Sequence, residues 1–497
     1  HRDLHSFPTR RSSDLKVEVY PVPVITAQPI ARKVNQGQST SLSVTATGAG
    51  VSYQWMRGGQ PVQGARDRTL SFPSAQGLDA GNYSVVVSNG AGSVISEVVT
   101  LTVVLPPTVM MTSLPAAIVG QTYTAPLTGT QEPTRFSVTG LPKGMKLSSD
   151  NLHLSGKAAV SGIFLVKVIA FNSAGSSGEA VTLPLEVKPF PTQALGVYEG
   201  VLPRSEDLNG NLGGWIKLTT SKLAAFSGTV RLGAKTHTLR GTWTASDTEM
   251  PKVTLKIKRS RQTTLTVELG IDTLSRTLTG KVADGDKEVL ITGGGALTDA
   301  GAMAGNHTLA LLTPSSEEGL VSVPQGDGVG GFTVNAKGAV RGALRLADGS
   351  AFTLSAPLTE GGQVRVFQGL YRNTGSLCGR LKIVPGNGHR LDGSELSWWK
   401  ALQTARTRSY PGGFGPLTLR VRGGLHVIPA AGQTIAGLDD ASLLFSHGGA
   451  PDPMTRLNVS EFVFPARHPA RAAITVDNPG AVVLTLQPGS GTRFAAG

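Results

Sequence analysis

LDAGNYSVVVSNGAGS, residues 78–93, decides how this chain is to be read. Asp79-Ala-Gly-Asn82 is a turn-forming run that leads into Tyr83. Val85 stands two residues on, and after Val87 the run Ser88-Asn-Gly-Ala-Gly92 makes a second turn. Upstream, Leu42 and Val44 alternate inward on an early strand, and Trp55 lies on the next one.

With GQSTSLSVTATG and VSYQWMRGGQPV, these stretches resemble a bacterial immunoglobulin-like domain from Val22 to Val104. The resemblance implies a β-sandwich in which Trp55 packs against the inter-sheet core and Tyr83 forms the tyrosine corner. It also implies that the apolar pair Val44 and Val85 replaces the disulfide found in many members. It specifies a fold and says little about function.

Pro106-Pro107 breaks the last strand of that module. The stretch FSVTGLPKGMKLSSDNLHLSGKAAVSGIFLVKVIAFNSAGS then resembles a second module, residues 107–188, of the immunoglobulin-like type related to cadherin-like repeats. Phe164, Val166, Val168 and Ala170 alternate before Asn172-Ser-Ala-Gly175, a turn like the one at Asn89. Calcium between modules, as in cadherins, would need acidic clusters near Pro106 and Pro189, and almost none are there.

Beyond Pro189-Phe-Pro191 the chain reads as an internal repeat of antiparallel strands. One copy spans residues 194–300, opening with GVYEGVLP; the other spans 301–400, opening near GNHTLALL. Each fits a small antiparallel barrel or curled sheet that closes its own edges. Residues 401–497 continue the pattern as a further β-domain, shortened at Gly497. The region resembles the repeated C-terminal β-domain that follows Ig-like modules in large secreted proteins of environmental bacteria, a resemblance that carries no activity. Residues 1–15 read as the translation of a common short-read sequencing adapter and are set aside as not native. The expected class is all-β: two Ig-like β-sandwiches followed by antiparallel barrel-like repeats.

Composition agrees. The chain has 497 residues, 63 Gly and a single Cys, as expected of many short strands and tight turns. Its net charge of +13 favours anionic partners such as acidic polysaccharide or cell envelope, although scattered Lys and Arg also suit a solvated surface. Cys378 has no partner for an internal disulfide. The longest apolar run, Gly162 to Phe171, is too short to cross a membrane as a helix and carries Lys167.

Residues with chemistry are few. Cys378 has no nearby His and reads as a core or surface thiol. None of the nine His shows paired metal spacing, so His153 and His237 read as structural or solvated. Asp392 and Glu395 suit a hairpin better than a pair of glycosidase carboxylates. Asp207, Asn209 and Asn211 have calcium-loop spacing, but Leu218 stands where the loop needs an acid. Gly326-Asp-Gly-Val-Gly-Gly331 lacks the Lys and helix of a phosphate loop and reads as a hairpin. No cofactor and no metal are expected.

Two features point to binding. In PKVTLKIKRSR, Val253, Leu255 and Ile257 alternate with Lys252, Lys256 and Lys258, and Arg259 and Arg261 follow at the turn. The stripe at Lys256, Lys258, Arg259 and Arg261 is a candidate for acidic glycan, or else a solubilising edge strand. The aromatics Trp215, Trp243, Tyr371, Trp398 and Trp399 could stack on sugars, although adjacent Trp398 and Trp399 must face opposite sides of a strand. Basic and aromatic residues are not interleaved as nucleic-acid binders require. The expectation is therefore a non-enzymatic, secreted or surface-displayed modular protein for adhesion, envelope architecture or display, with polysaccharide, envelope or protein partners. The alternatives are a carbohydrate-binding spacer from a polysaccharide-degrading enzyme and barrels enclosing a small apolar ligand.

Overall fold

The computed structural model describes residues 21–246, 248–317, 320, 322–324, 326–386, 389–391, 393–403 and 410–425. Beyond these it describes the backbone of four strands, Ala441–Leu444, Arg456–Val459, Pro469–Asp477 and Ala481–Pro488. The adapter-like prefix and Asp392 lie outside the described residues. The chain divides into two compact units, His1–Lys188 and Pro189–Gly497.

The first unit is a pair of Ig-like sandwiches. In the first module, Arg32–Asn35, Val99–Val104, Gly81–Asn89 and Ser52–Arg57 pair in that order to form the larger sheet. The inward residues are those of the alternating pattern: Leu42, Val44, Trp55, Tyr83, Val85 and Val87 share one core, with Trp55 fully buried. Two polar anchors keep this apolar core satisfied. Trp55 Nε1 donates to Asp67 O at 3.0 Å, and Tyr83 Oη donates to Asp79 O at 2.7 Å, closing the tyrosine corner.

The second module places Gly162–Asn172 at the centre of its larger sheet, between Val181–Lys188 and Arg135–Thr139. Val166, Val168 and Ala170 point inward while Ile163 and Leu165 face out, so the apolar run is a strand, as its Lys167 suggested. Gly144 has φ +92° and sits so close to Lys157 O that a Cβ there would lie 2.1 Å from it, which makes the Gly-Leu-Pro-Lys-Gly turn obligatory.

The two Asn turns share a function. Asn89 Oδ1 accepts from Ala91 N at 2.9 Å and its Nδ2 donates to Pro21 O at 2.9 Å. Asn172 Oδ1 likewise accepts from Ala174 N at 2.9 Å, and its Nδ2 donates to Leu105 O at 2.8 Å. In each module the turn thus holds the carbonyl of the segment entering it. Ser173 adds a bond to the Asn35 side chain at 2.9 Å, tying the second module to the first.

The second unit contains two eight-stranded sheets. Their strands are labelled in chain order. The first sheet has β1 (Gly196–Leu202), β2 (Gly214–Thr220), β3 (Ala225–Leu232), β4 (Lys235–Thr242), β5 (Lys252–Arg259), β6 (Gln262–Asp272), β7 (Thr277–Asp284) and β8 (Lys287–Gly295). The second has β9 (Gly305–Leu312), β10 (Gly328–Val334), β11 (Ala339–Arg345), β12 (Ala351–Thr359), β13 (Gln363–Leu370), β14 (Gly375–Lys382), β15 (Glu395–Lys400) and β16 (Phe414–Leu425). All are meanders in which the first strand also pairs with the last.

The second repeat therefore does not stop at Lys400. Phe414–Leu425 is its eighth strand and closes it onto β9, from His307 opposite Leu425 to Leu312 opposite Arg420. Seven strands would leave two open edges, and β16 removes both. The glycine run is a turn only at Gly326; Gly328, Gly330 and Gly331 lie within β10. Beyond β16, Ala441–Leu444 pairs antiparallel with Arg456–Val459, and Pro469–Asp477 with Ala481–Pro488.

Both interiors are filled. Tyr198, Ile216, Leu218, Val230 and Trp243 pack the first and Leu309, Phe332, Leu358, Val366 and Trp398 the second, each at most 1% exposed. Eight strands enclose a lumen of a size that side chains can fill, and here they do so.

Replacing Asn172 with Ala removes its bonds to Leu105, Gln131 and Ala174. The expected cost to the second module is about 1–3 kcal/mol in denaturant unfolding. One of these partners, Leu105, lies in the segment that joins the modules, so inter-module motion in amide relaxation should rise as well.

Candidate functional site

The two barrels meet through side chains that point outward from their strands. At the centre is Glu199 of β1, 2% exposed. Arg365 of β13 donates through Nε to Glu199 Oε2 at 2.9 Å, and Lys217 Nζ lies 3.3 Å from Oε1 at ion-pair distance without hydrogen-bond geometry. The Arg365 guanidinium also lies 4.7 Å from the Trp215 ring.

Arg204 plugs the same junction. Its guanidinium donates to Ser397 Oγ (2.9 Å) and O (2.6 Å), and to Ser376 Oγ (2.6 Å) and O (2.9 Å), across the interface. Burial pulls it down to about 10, which leaves it charged at neutral pH. Arg231 stacks over Phe367 at 5.0 Å, and Arg276 pairs with Glu360 at 3.5 Å. Beside this contact lies a cleft of about 540 Å³, mostly apolar, lined by Val201, Pro203, Leu290, Cys378, Leu396 and Pro416.

This junction accounts for several residues singled out in the sequence. Cys378 is 5% exposed with Sγ against Leu202 O at 3.5 Å, and burial pushes its thiol up, away from the reactive thiolate. Trp215 lies against Arg365, and the half-buried Trp399 lies under Arg204 at 5.9 Å. Trp243 is fully buried, and its Nε1 donates to Thr220 Oγ1 at 3.0 Å. Trp398 is 1% exposed, opposite in facing to Trp399, and its Nε1 donates to Tyr371 Oη at 3.1 Å. Tyr371 in turn donates to Asp348 and has its pKa raised, first by burial and then by that carboxylate. Of the five aromatics, Trp243 and Trp398 are thus core residues, while Trp215, Tyr371 and Trp399 are half-buried.

The other sequence candidates have structural partners. Asn209 Oδ1 accepts from Ser205 N and Gly213 N while Nδ2 donates to Pro203 O, and Asp207 pairs with Lys287. Asn211 sits at φ +60° in the turn that follows. The calcium-loop spacing is thus a short helix end, Glu206–Asn209, capped by Ser205. Glu395 pairs with Arg380 at 2.8 Å. His153 meets Asp150 at 2.8 Å; a Ser148 hydroxyl, the Leu152 amide and His153 together hold the Asp150 carboxyl at about 2.

The basic stripe lies on β5, at the edge of the first sheet. Lys252, Lys256 and Lys258 are exposed, and Val253, Leu255 and Ile257 turn inward, half-buried. Arg259 does not belong to the exposed set. It pairs with Asp284 and donates to Thr263 O at 2.8 Å, because the bulge between Ile257 and Arg259 turns it back onto the sheet. Arg261 is exposed at the hairpin tip, at φ +56°. Facing this edge is β4, with exposed Lys235 and Arg240 and half-buried His237, whose pKa is lowered by burial and by Arg259 and Lys235.

A family model described as "Immunoglobulin domain" matches residues 22–89, and one described as "Putative Ig domain" matches 106–188. The muscle M-line assembly protein unc-89 of Caenorhabditis elegans is 32% identical over 92 residues, 17% of this chain and 1% of that protein. A decoration protein of Escherichia phage T5 is 37% identical over 78 residues, 15% of this chain and 47% of that protein. The chain thus spans less than half the length of either relative. Among solved structures, the titin Ig tandem A164–A165 is 17% identical, with 34% of this chain and 99% of that chain covered at a TM-score of 0.21.

Removing Arg365 would leave Glu199 buried and charged without its closest partner. Arg365→Ala is expected to destabilise the barrel pair by about 3–5 kcal/mol, and adding Glu199→Ala should return part of that loss in a double-mutant cycle. A single-variant cost below about 1 kcal/mol in denaturant titration would remove the ion pair from the account of docking.

The second barrel also contains a buried imidazole. His307 is 1% exposed, stacked on Phe332 at 5.0 Å and beside His389 at 5.8 Å, with Nε2 unpartnered. Burial, aided by His389, lowers it from 6.5 to about 4 despite a contact to Gly305 O. The unfolded chain therefore binds the extra proton between these values, so stability is full above about pH 6.5 and falls as pH drops toward about 4. His307→Phe should flatten this acid slope in urea midpoints measured across that range.

Proposed function

We propose that this chain is a non-enzymatic, modular spacer-and-display protein of the cell surface or extracellular space. Two Ig-like modules, each with its entering segment held by an Asn turn, act as the spacer. The fused barrels are the displayed head. The observation that carries this reading is the filling of both barrel interiors by side chains, which leaves their outer surfaces for contact with partners. The two Ig-type matches and the 37% identity over 78 residues to a phage decoration protein support it. Its partners are other proteins or cell-envelope polymers, in keeping with the net charge of +13.

The test is location. Antibody raised against the purified chain should label intact source cells or their extracellular matrix, and mild external protease should remove the signal. Labelling that appears only after permeabilisation sinks the reading.

A further inference from the structure

The first barrel is joined between β4 and β5 at one place. Thr244 and Lys252 exchange both backbone bonds, at 2.9 and 3.0 Å, and beyond them β4 and β5 share no further backbone pairing, with the Leu255 side chain packing toward Gly241 at the core side of the seam. The direction of the unused groups follows from neighbouring bonds. Trp243 N donates to Ala224 O on the β3 side, and Pro251 O accepts from Ile271 N on the β6 side. The intervening even-numbered residues therefore turn their N–H and C=O to the seam: Thr238, Arg240 and Thr242 on one lip, Thr254 and Lys256 on the other.

The side chains around this seam also have a pattern. Outside stand Lys235, Arg240, Lys256, Lys258 and Arg261, which have no ion-pair partner among the described residues. Inside, Val253, Leu255 and Ile257 remain half-buried at the margin of the core. A strand lying in the seam would meet cations on one face and apolar groups on the other.

The second barrel shows what occupies the corresponding strand there. Thr359 pairs with Gln363 as Thr244 does with Lys252, so β13 corresponds to β5, with Arg365 in the place of Thr254 and Phe367 in that of Lys256. The outer face of β13 is covered by the first barrel, through Glu199 on Arg365 and Arg231 on Phe367. The outer face of β5 has no such cover among the described residues.

We propose that the β4/β5 seam captures an extended polypeptide segment in which acidic and apolar residues alternate, by strand addition to β5. The segment pairs with the backbone of Thr254 and Lys256, places its acidic side chains between Arg240 and Lys256, and turns its apolar side chains toward Leu255. Free N–H and C=O groups provide the pairing, and the five unpaired cations select for acid. Binding at the seam is read on the purified chain and is independent of where the protein resides.

The experiment uses a fluorescent, end-capped peptide of alternating Val and Glu. Saturable binding is expected, weakened about tenfold or more by Arg240→Glu with Lys256→Glu. It should be weakened similarly on unaltered protein when a central Val of the peptide becomes Pro, which keeps the charge and removes an N–H. The amides of Thr254 and Lys256 should gain protection from hydrogen exchange. Equal binding of the Pro peptide, or stronger retention on polygalacturonate, would identify a charge-only or glycan surface and overturn the proposal. So would the absence of binding at about 1 mM peptide.

Discussion

Glu199 is the residue on which the second unit depends. A carboxylate at 2% exposure needs partners, and those partners come from β2 of its own barrel and β13 of the other. The outward face of β1 is therefore compatible with solvent only when the second barrel is absent, and with burial only when Arg365 is present. Docking and charge compensation are one event. Arg204 strengthens the same logic: its donors engage Ser376 and Ser397, groups that a separately folded second barrel would leave to water. The guanidinium suits this task better than an ammonium, because its planar fork satisfies several carbonyl and hydroxyl oxygens at once.

The repeat explains why the contact is asymmetric. Tyr198 and His307 hold the third position of β1 and β9, and both turn into their lumens. Tyr198 finds Gln193 O for its hydroxyl at 2.6 Å, whereas the His307 ring keeps an orphan nitrogen. On the outside the divergence is larger. The next residue is Glu199 in one copy and Thr308 in the other. The copies share a scaffold and differ on their outer faces, so one barrel offers a carboxylate and arginines while the other offers the surface that receives them.

What could be read in the sequence was local. Trp55, Tyr83 and the alternation at Leu42, Val44, Val85 and Val87 are legible because a turn and a period of two determine which face is inward. The barrel strands were legible for the same reason, but the strand that closes the second copy was not. β16 follows a long connection after Lys400, and nothing near Phe414 announces that its partner lies at His307. The docking residues were hidden for a related reason: Glu199 and Arg365 lie 166 positions apart on outward faces, where a charged residue is the ordinary choice. Trp215 and Trp399 looked like exposed platforms because a sequence pattern reports the face of a strand and not what later covers it.

Charge is where this distinction matters most. A net +13 invites the idea of a uniformly basic surface, yet the arginines divide by role. Arg204, Arg231, Arg276 and Arg365 lie in the barrel junction, and Arg259 is held by Asp284. Their charge is neutralised or walled in, and contributes little to the field felt by an approaching partner. The cations left in water are lysines and the remaining arginines, and at β5 lysines alternate along an edge strand whose β4 side is paired only at Lys252. Lysine there opposes indiscriminate edge-to-edge pairing, since a neutral or basic strand would bring like charge or no compensation to the seam. The same arrangement leaves one class of strand unopposed, the one that brings acid. A charge pattern that guards an edge against most sequences thereby makes it selective for the rest.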